Sequence, residues 1–242
     1  MVPLSFAGQE WCLVDQGDSA RALFWPRENA LLVSDLHFEK ASFFARTGQM
    51  LPPYDSRETL ERVADAIRLT GATRLFALGD NFHDADGPDR LEPHARGMLD
   101  ALCRAVDWVW ITGNHDEKTA DGLPRLSELH SPSGGTTVDE LETAGVILRH
   151  QPHPDETRPE LSGHFHPKLR IKVRGQRISR PCLVRSQGLA QRMILPAFGT
   201  LTGGLDASAP QILSAVMPAS RVDALTVAKD RLVAFPLYRA QT

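Results

Sequence analysis

Five short segments scattered through the middle of the 242-residue chain carry side chains suited to metal chemistry: Asp35-Leu36-His37, Gly79-Asp80-Asn81, Gly113-Asn114-His115-Asp116, His150, and Gly163-His164-Phe165-His166. Asp35 and Asp80 offer carboxylates, Asn114 a carboxamide, and His37, His150, His164 and His166 imidazoles. Mixed oxygen and nitrogen ligation suits Mn²⁺, Fe or Zn²⁺ better than Mg²⁺ or Ca²⁺, which prefer oxygen throughout. In Asp-X-His or His-X-His on an extended segment, residues i and i+2 project to the same side, so each pair can reach a common centre. The glycines at 79, 113 and 163 let the backbone turn sharply or approach an ion closely. Taken singly, an Asp after a strand is ordinarily a turn or cap residue, and a lone His a satisfied surface or core residue. All five segments, each following a strand-like run, point instead to one shared metal-binding rim. His150 and His153 compete for one ligand position. His150 directly follows the run Val146–Arg149, whereas His153 lies further on in a Pro-rich loop, so the spacing favours His150.

The elements that must position these residues are legible as short apolar runs. Ala30–Ser34 ends at Asp35, Arg74–Leu78 at Gly79-Asp80, and Asp107–Thr112 at Gly113-Asn114. Val146–Leu148 with Arg149 ends at His150, and Glu160–Ser162 leads into Gly163-His164. Continuous apolar runs of this kind fit strands buried on both faces. Between them, Tyr54–Leu69 and Leu91–Val106 carry apolar residues at helical spacing with charges on the other face. Strand–helix alternation indicates an α/β layered fold, with strand ends gathering polar residues at one rim. After residue 168 the pattern changes. Lys168–Arg174, Ser179–Ser186, Gln191–Phe198, Ala224–Val227 and Leu232–Pro236 read as short antiparallel strands, making the whole a mixed sandwich of two sheets with helices outside. Trp11–Asp15 and Ala22–Trp25 read as an N-terminal hairpin. Two segments, Phe38–Pro53 and Glu117–Gly134, read as loops longer than usual.

Length suits one large domain over residues 1–242, and 42% hydrophobic residues suffice for a sizeable core. No apolar stretch is long enough for a transmembrane helix, and MVPLSFAGQEW lacks the basic start and apolar run of a signal peptide. Cys12, Cys103 and Cys182 are odd in number and far apart, which suits thiols in a reducing compartment, hence a cytoplasmic protein. The net charge of −3 argues against a protein that coats nucleic acid, yet it hides an asymmetry. Leu161 to Leu205 contains no Asp or Glu and carries Lys168, Arg170, Lys172, Arg174, Arg177, Arg180, Arg185 and Arg192.

The order DxH, GD, GNHD, H, GHxH resembles the calcineurin-like metallophosphoesterases. SDLHFEKAS (34–42), LGDNFHD (78–84), ITGNHD (111–116), LRHQP (148–152), SGHFHP (162–167) and LPAFGTLTGG (195–204) together resemble the bacterial ligase-associated DNA-damage-response endonucleases. The last segment lies outside the metal motifs and so speaks to the subfamily. The resemblance implies a four-layer αββα sandwich and a two-metal phosphodiesterase. Asp35, His37 and His166 would hold one ion, Asn114, His150 and His164 the other, and Asp80 would bridge them. His115 would stand beside the leaving-group oxygen as general acid or charge stabiliser. Many relatives carry a second acid three residues after the bridging Asp. Here that position is His83, which could line the substrate site, and the acid falls one later at Asp84, to which no metal role is assigned. The implied cofactors are two divalent ions, Mn²⁺ favoured over Fe or Zn²⁺. A DNA ligase, a helicase and an exonuclease would be pathway partners, by resemblance alone.

The basic stretch bears on substrate. Lys168, Arg170, Lys172 and Arg174 alternate with Leu169, Ile171 and Val173, giving a strand with a cationic face that could guide the backbone of single-stranded DNA or RNA to the metals. Gly175-Gln176 would turn the chain and bring Arg177 and Arg180 alongside. The same pattern also suits a solvated edge strand, where lysines discourage strand pairing. Aromatics are only 7%, with no evident stacking platform, so any binding would be salt-sensitive and of low sequence specificity. Three other readings use the same residues: a phosphodiesterase or phosphatase acting on small molecules, a non-catalytic metal-binding scaffold, and a nucleic-acid-binding module without catalysis. The intact Asn114, His115 and His set disfavours the last two.

Overall fold

The apolar runs that end in the metal-type residues become neighbouring strands with aligned ends. The computed structural model describes residues 1–17, 20–116 and 134–240. Strands β1 (Val2–Phe6), β2 (Gln9–Asp15), β3 (Ala20–Trp25), β4 (Ala30–Val33), β5 (Arg74–Leu78), β6 (Asp107–Ile111) and β7 (Thr136–Val138) form one seven-stranded sheet in that spatial order. It is antiparallel up to β4 and parallel from β4 to β7. Next come β8 (Glu140–Thr143), β9 (Val146–Arg149), β10 (Glu160–Ser162), β11 (Lys168–Val173), β12 (Gln176–Pro181), β13 (Leu183–Gln187), β14 (Arg192–Ile194), β15 (Arg221–Ala228) and β16 (Arg231–Arg239). Seven of these build the second sheet, in the order β16-β15-β13-β14-β10-β9-β8. The pair β11-β12 stands apart as a two-stranded hairpin. Parallel pairing of β10 with both β9 and β14 makes the second sheet mixed.

The sheets face one another across a core of Leu13, Leu23, Leu32, Phe76 and Ile111 against Leu148, Leu161, Met193 and Leu225. Burying each such side chain contributes ~1.5–3 kcal/mol. Among the described residues the α-helices are α1 (Lys40–Ala45), α2 (Asp55–Thr70), α3 (Gly87–Arg90), α4 (Pro93–Ala105) and α5 (Pro210–Ala215). Leu60 and Val63 of α2 and Leu99 of α4 cover Leu31, Val33 and Leu75 on the outer face of the first sheet. Ile212 of α5 covers Val184, Ile194 and Ala224 on the outer face of the second. The layers therefore run αββα, with a thin fourth layer. Local signals explain the helix ends. The Glu92 carboxylate accepts from the His94 and Ala95 amides with Pro93 in the first turn, and Gly71 closes α2 in a left-handed conformation.

Three sequence expectations change. Phe38–Pro53 is not wholly loop, because α1 occupies Lys40–Ala45. Its start is fixed from a distance: the Asp55 carboxylate accepts the Ala41 amide, and Ser56 Oγ accepts the Glu39 amide. Ser179–Ser186 is two strands, not one, broken at Cys182, whose amide turns to the Pro167 carbonyl. Pro181 has no amide to continue the ladder. Gln191–Phe198 keeps ladder pairing only over Arg192–Ile194. Beyond it the chain leaves the sheet, Phe198 donating to the Ser34 carbonyl and Gly199 to that of Asp35. The N-terminal hairpin extends the first sheet, with Trp11 stacked on Trp25 at 4.2 Å between ring centres. The expected loop Glu117–Gly134 lies, except for Gly134, outside the described residues.

Candidate metal centre

Beyond the ends of β4, β5, β6, β9 and β10, loop backbones hydrogen-bond to one another and draw their side chains inward. Asp35 donates to the Gly79 carbonyl, His37 to that of Asp80, Phe38 to that of Asn81, and Gly163 to that of His150. The metal-type residues are not on extended chain, as the i, i+2 argument supposed. Asp35, His37, Asp80, His164 and His166 all have positive φ, from 46° to 73°. Non-glycine residues seldom adopt this region, at a cost of ~1–3 kcal/mol each, and such residues gather at functional sites. The kinks bring the segments closer than strands would allow. A Cβ on Gly113 would lie 2.1 Å from the Asp80 amide nitrogen, and one on Gly163 would lie 2.4 Å from Asp35 Oδ2.

Two donor groups share Asp80, and a third, His37, His83 and His115, adjoins them through His37. Asp35, His37, Asp80 and His166 place ligand atoms within 4.8 Å of one another, and so do Asp80, His150 and His164. His166 Nε2 is 3.3 Å from both Asp35 Oδ1 and His37 Nε2. His150 Nε2 is 3.4 Å from Asp80 Oδ1, 3.0 Å from Asn114 Oδ1 and 3.1 Å from His164 Nδ1. Asp80 belongs to both groups. Asp35, His37, Asp80 and His150 are buried. Acceptor oxygens and imidazole lone pairs aimed at common points repel one another unless a cation stands between them, so the donor set fits a pair of metal ions.

The electrostatics agree. Burial pushes the His37 imidazolium well below its ordinary pKa, and the neighbouring His166 and Lys40 push the same way. Burial and His150 lower His164 likewise. Both rings are thus held neutral, the form that ligates metals. Burial opposes ionisation of Asp35, but hydrogen bonding and charge from His166 and charge from His150 outweigh it and hold its carboxyl below the ordinary value.

The other sequence candidates fall into place around this centre. His153 is exposed, its amide bonded to Glu160, and stands outside both donor groups. His115 sits at the mouth, its side chain 40% exposed, with Nε2 4.0 Å from Asp80 Oδ2 and its amide donating to Asp80 Oδ1. His83 is buried, stacked on His115 at 5.1 Å and beside Phe43 and Phe44. Its Nδ1 is 3.4 Å from His37 Nδ1. Burial, with Lys40 and His115 nearby, lowers it to about 3. Asp84 pairs with Arg90 and stands outside both donor groups. Lys168 donates to the Thr202 carbonyl and Arg170 to that of Gly204, while Lys172 and Arg174 project further out along the hairpin.

Sequence reasoning gave Asp116 no role. It is the staple of the site: its carboxylate accepts from the Asn81 side chain and from the Phe82 and Gly113 amides, joining the loops after β5 and β6. Burial, with the Asp80 charge beside it, pushes it up to about 6 despite those hydrogen bonds. Its place directly after His115 was the one available signal.

The sequence profile of the calcineurin-like phosphoesterases matches residues 29–168. No curated protein matches the chain. Among solved structures, Pseudomonas putida nuclease MPE is 27% identical with a TM-score of 0.68, over 97% of this chain and 98% of that one. A protein of unknown function from Aquifex aeolicus, AQ665, is 17% identical (TM-score 0.37, 57% of this chain and 78% of that one). The E. coli phosphoesterase Yfce is 16% identical (TM-score 0.38, 86% and 92%). These last two superpose too poorly to bear on function.

Proposed function

The chain belongs to the calcineurin-like phosphoesterase family and is a metal-dependent phosphoesterase, and from that premise we propose that it is a phosphodiesterase acting as a nuclease on single-stranded nucleic acid. The setting that suits it is bacterial DNA repair in the cytoplasm. The observation that carries the reading is the sharing of Asp80 between two donor groups. In this reading Asp35, His37 and His166 would hold one ion and Asn114, His150 and His164 the other, with Asp80 common to both donor groups. Bound there, divalent ions supply Lewis acidity toward a phosphoryl oxygen and a water of lowered pKa as nucleophile. The mixed donor set admits Mn²⁺, Fe or Zn²⁺, of which Mn²⁺ is the ion of this proposal.

The chain's own residues do the rest. Buried His37 and half-buried His164 stay neutral and so present lone pairs at neutral pH. Asp116 fixes the loop that carries Asn114 and His115. His115 Nδ1 is 2.8 Å from the His83 carbonyl oxygen, which can only accept, so Nδ1 carries a hydrogen and Nε2, 4.0 Å from Asp80 Oδ2, is the nitrogen left beside the centre. From there Nε2–H of the imidazolium can pass a proton to the departing oxygen, a contribution of ~10²–10⁴-fold.

Three observations favour a nucleic-acid strand. The hairpin begins two residues after His166 and projects as a separate two-stranded sheet. Arg170 and Lys172 share its cationic face with Arg177, which pairs opposite Lys172, and all three are exposed. Arg180 instead falls opposite Leu169, on the other face. The similarity to the nuclease from Pseudomonas putida runs nearly end to end.

The test is hydrolysis by metal-stripped protein with Mn²⁺, Zn²⁺ or Mg²⁺ restored, first of an aryl phosphodiester and its monoester, then of single-stranded DNA and RNA. Metal-dependent cleavage of diester and strands supports the reading. Cleavage of mononucleotide-sized substrates with strands untouched would replace it with a small-molecule phosphodiesterase. Folded protein inert with every metal would point to a scaffold.

A further inference from the structure

Beside the metal centre lies an open groove of about 420 Å³ lined by His164, Phe165, His166, Gly204, Leu205 and Gln211. Its volume falls within the ~300–1,000 Å³ typical of small-ligand sites. Two walls are metal-type histidines, so whatever occupies it lies against the reacting phosphate. The others belong to Phe165, Gly204, Leu205 and Gln211, to which nothing above assigns a part in the chemistry.

The groove is built, not incidental. The segment Gly204–Leu205 is sewn to Phe165–Lys168 by backbone hydrogen bonds: Leu205 donates to the Phe165 carbonyl at 3.4 Å, and Lys168 to that of Leu205 at 2.8 Å. Arg170 clamps the same segment by donating to the Gly204 carbonyl at 3.1 Å. Phe165 is half-buried, edge-on to the His164 ring at 4.9 Å, and packs on the core under the outer face of the second sheet. Leu205 remains 38% exposed, although its neighbour Ala207 is fully buried. Gln211, in the first turn of α5, is exposed and carries an amide able both to donate and to accept. An aromatic ring, an aliphatic shelf and one amide around an open slot match a nucleobase, whose faces are apolar and whose edge bears donors and acceptors. The cations lie on the flank, where the strand's next phosphate would pass: Lys168 Nζ is 3.2 Å from the Thr202 carbonyl oxygen, and the exposed Arg170 follows.

We propose that this groove is a nucleoside subsite: it receives the base next to the scissile phosphate against Phe165 and Leu205, with Gln211 at the base edge. The proposal rests on the phosphodiesterase reading above and deepens it. A stacking contact of this kind alters affinity by about 5- to 150-fold per base. Base identity would be read weakly, since one amide serves several edges and every base has a face to stack.

The experiment compares methyl p-nitrophenyl phosphate with the p-nitrophenyl esters of thymidine 5′-phosphate and thymidine 3′-phosphate, which share a leaving group and differ in whether a methyl group or a nucleoside, joined through its 5′- or 3′-oxygen, stays on the phosphate. With Mn²⁺, the wild-type protein is expected to favour at least one thymidine ester by about 10-fold in kcat/KM. That ratio should collapse in Phe165→Ala through KM, fall in Gln211→Ala, and survive in Phe165→Trp, which keeps an aromatic face between the two histidines. A wild-type protein that cleaves the methyl ester without preferring either nucleoside overturns the subsite and leaves the phosphodiesterase reading standing. A preference that persists in both Phe165→Ala and Gln211→Ala also overturns it. Failure to cleave any diester overturns the phosphodiesterase reading, and the subsite with it.

Discussion

His115 donates through Nδ1 to the backbone carbonyl oxygen of His83 at 2.8 Å, which leaves Nε2 as the only ring nitrogen free to meet a substrate. The contact is to backbone, so the tautomer of His115 does not depend on the His83 side chain. His115→Ala should therefore lose about 10²- to 10⁴-fold in kcat while retaining bound metal. Turnover on aryl diesters and metal content by mass spectrometry check this together. Full activity in the variant would remove His115 from the chemistry.

Asp80 joins both donor groups, so its loss should not resemble the loss of a peripheral ligand. Asp80→Ala is expected to release both ions. In the wild-type protein, Mn²⁺ at about 100 times its Kd should raise stability by ~2.7 kcal/mol, and chelation should reverse that. In Asp80→Ala the Mn²⁺-induced rise in Tm should vanish. A variant that still binds two ions would rule out the shared position.

Arg192 is 1% exposed and its Nε lies 2.8 Å from Glu160 Oε1, with Glu160 fully buried. The guanidinium also donates to the carbonyls of His153, Pro154, Glu156, Ala215 and Met217, and so holds the loop that follows His150. Arg192→Met removes the nearer cation from a buried carboxylate, leaving Arg149 Nη1 at 3.4 Å, and should cost ~3–5 kcal/mol in urea unfolding, with Glu160→Leu on top recovering part of it. A loss under 1 kcal/mol would show that Arg149 alone suffices to hold Glu160.

The hairpin predicts a salt signature. Each phosphate contact contributes about 0.7 to the slope of log K against log salt for single strands. Arg170→Ala, Lys172→Ala and Arg177→Ala together should weaken single-strand binding and flatten that slope by about 2. Activity on a small aryl diester should fall far less. An unchanged slope would make the hairpin a solvated edge and nothing more.

How far these features could be read beforehand depended on whether their cause was local. The strands ahead of Asp35, Asp80 and His150 announced themselves as short apolar runs, because a strand buried on both faces needs apolar residues throughout. The spacing of Leu60, Val63 and Ile67 gave α2 for the same kind of reason. His150 outranked His153 from its position at a strand end alone. Chain segments governed by partners far away were less legible. The six residues of α1 have no periodic signal of their own and are anchored by Asp55 and Ser56.

The sequence by itself determined which metal-type side chains are available and in what order they arrive, since ligand chemistry belongs to residue type and strand periodicity to neighbouring residues. Only the tertiary structure decided how they converge. The positive φ of Asp35, His37, Asp80, His164 and His166 is imposed by hydrogen bonds between segments, such as Asp35 to Gly79 and His164 to Asp35. The staple at Asp116, the buried Arg192 and the groove beside Phe165 each unite residues distant along the chain, through contacts that exist only once both sheets have formed.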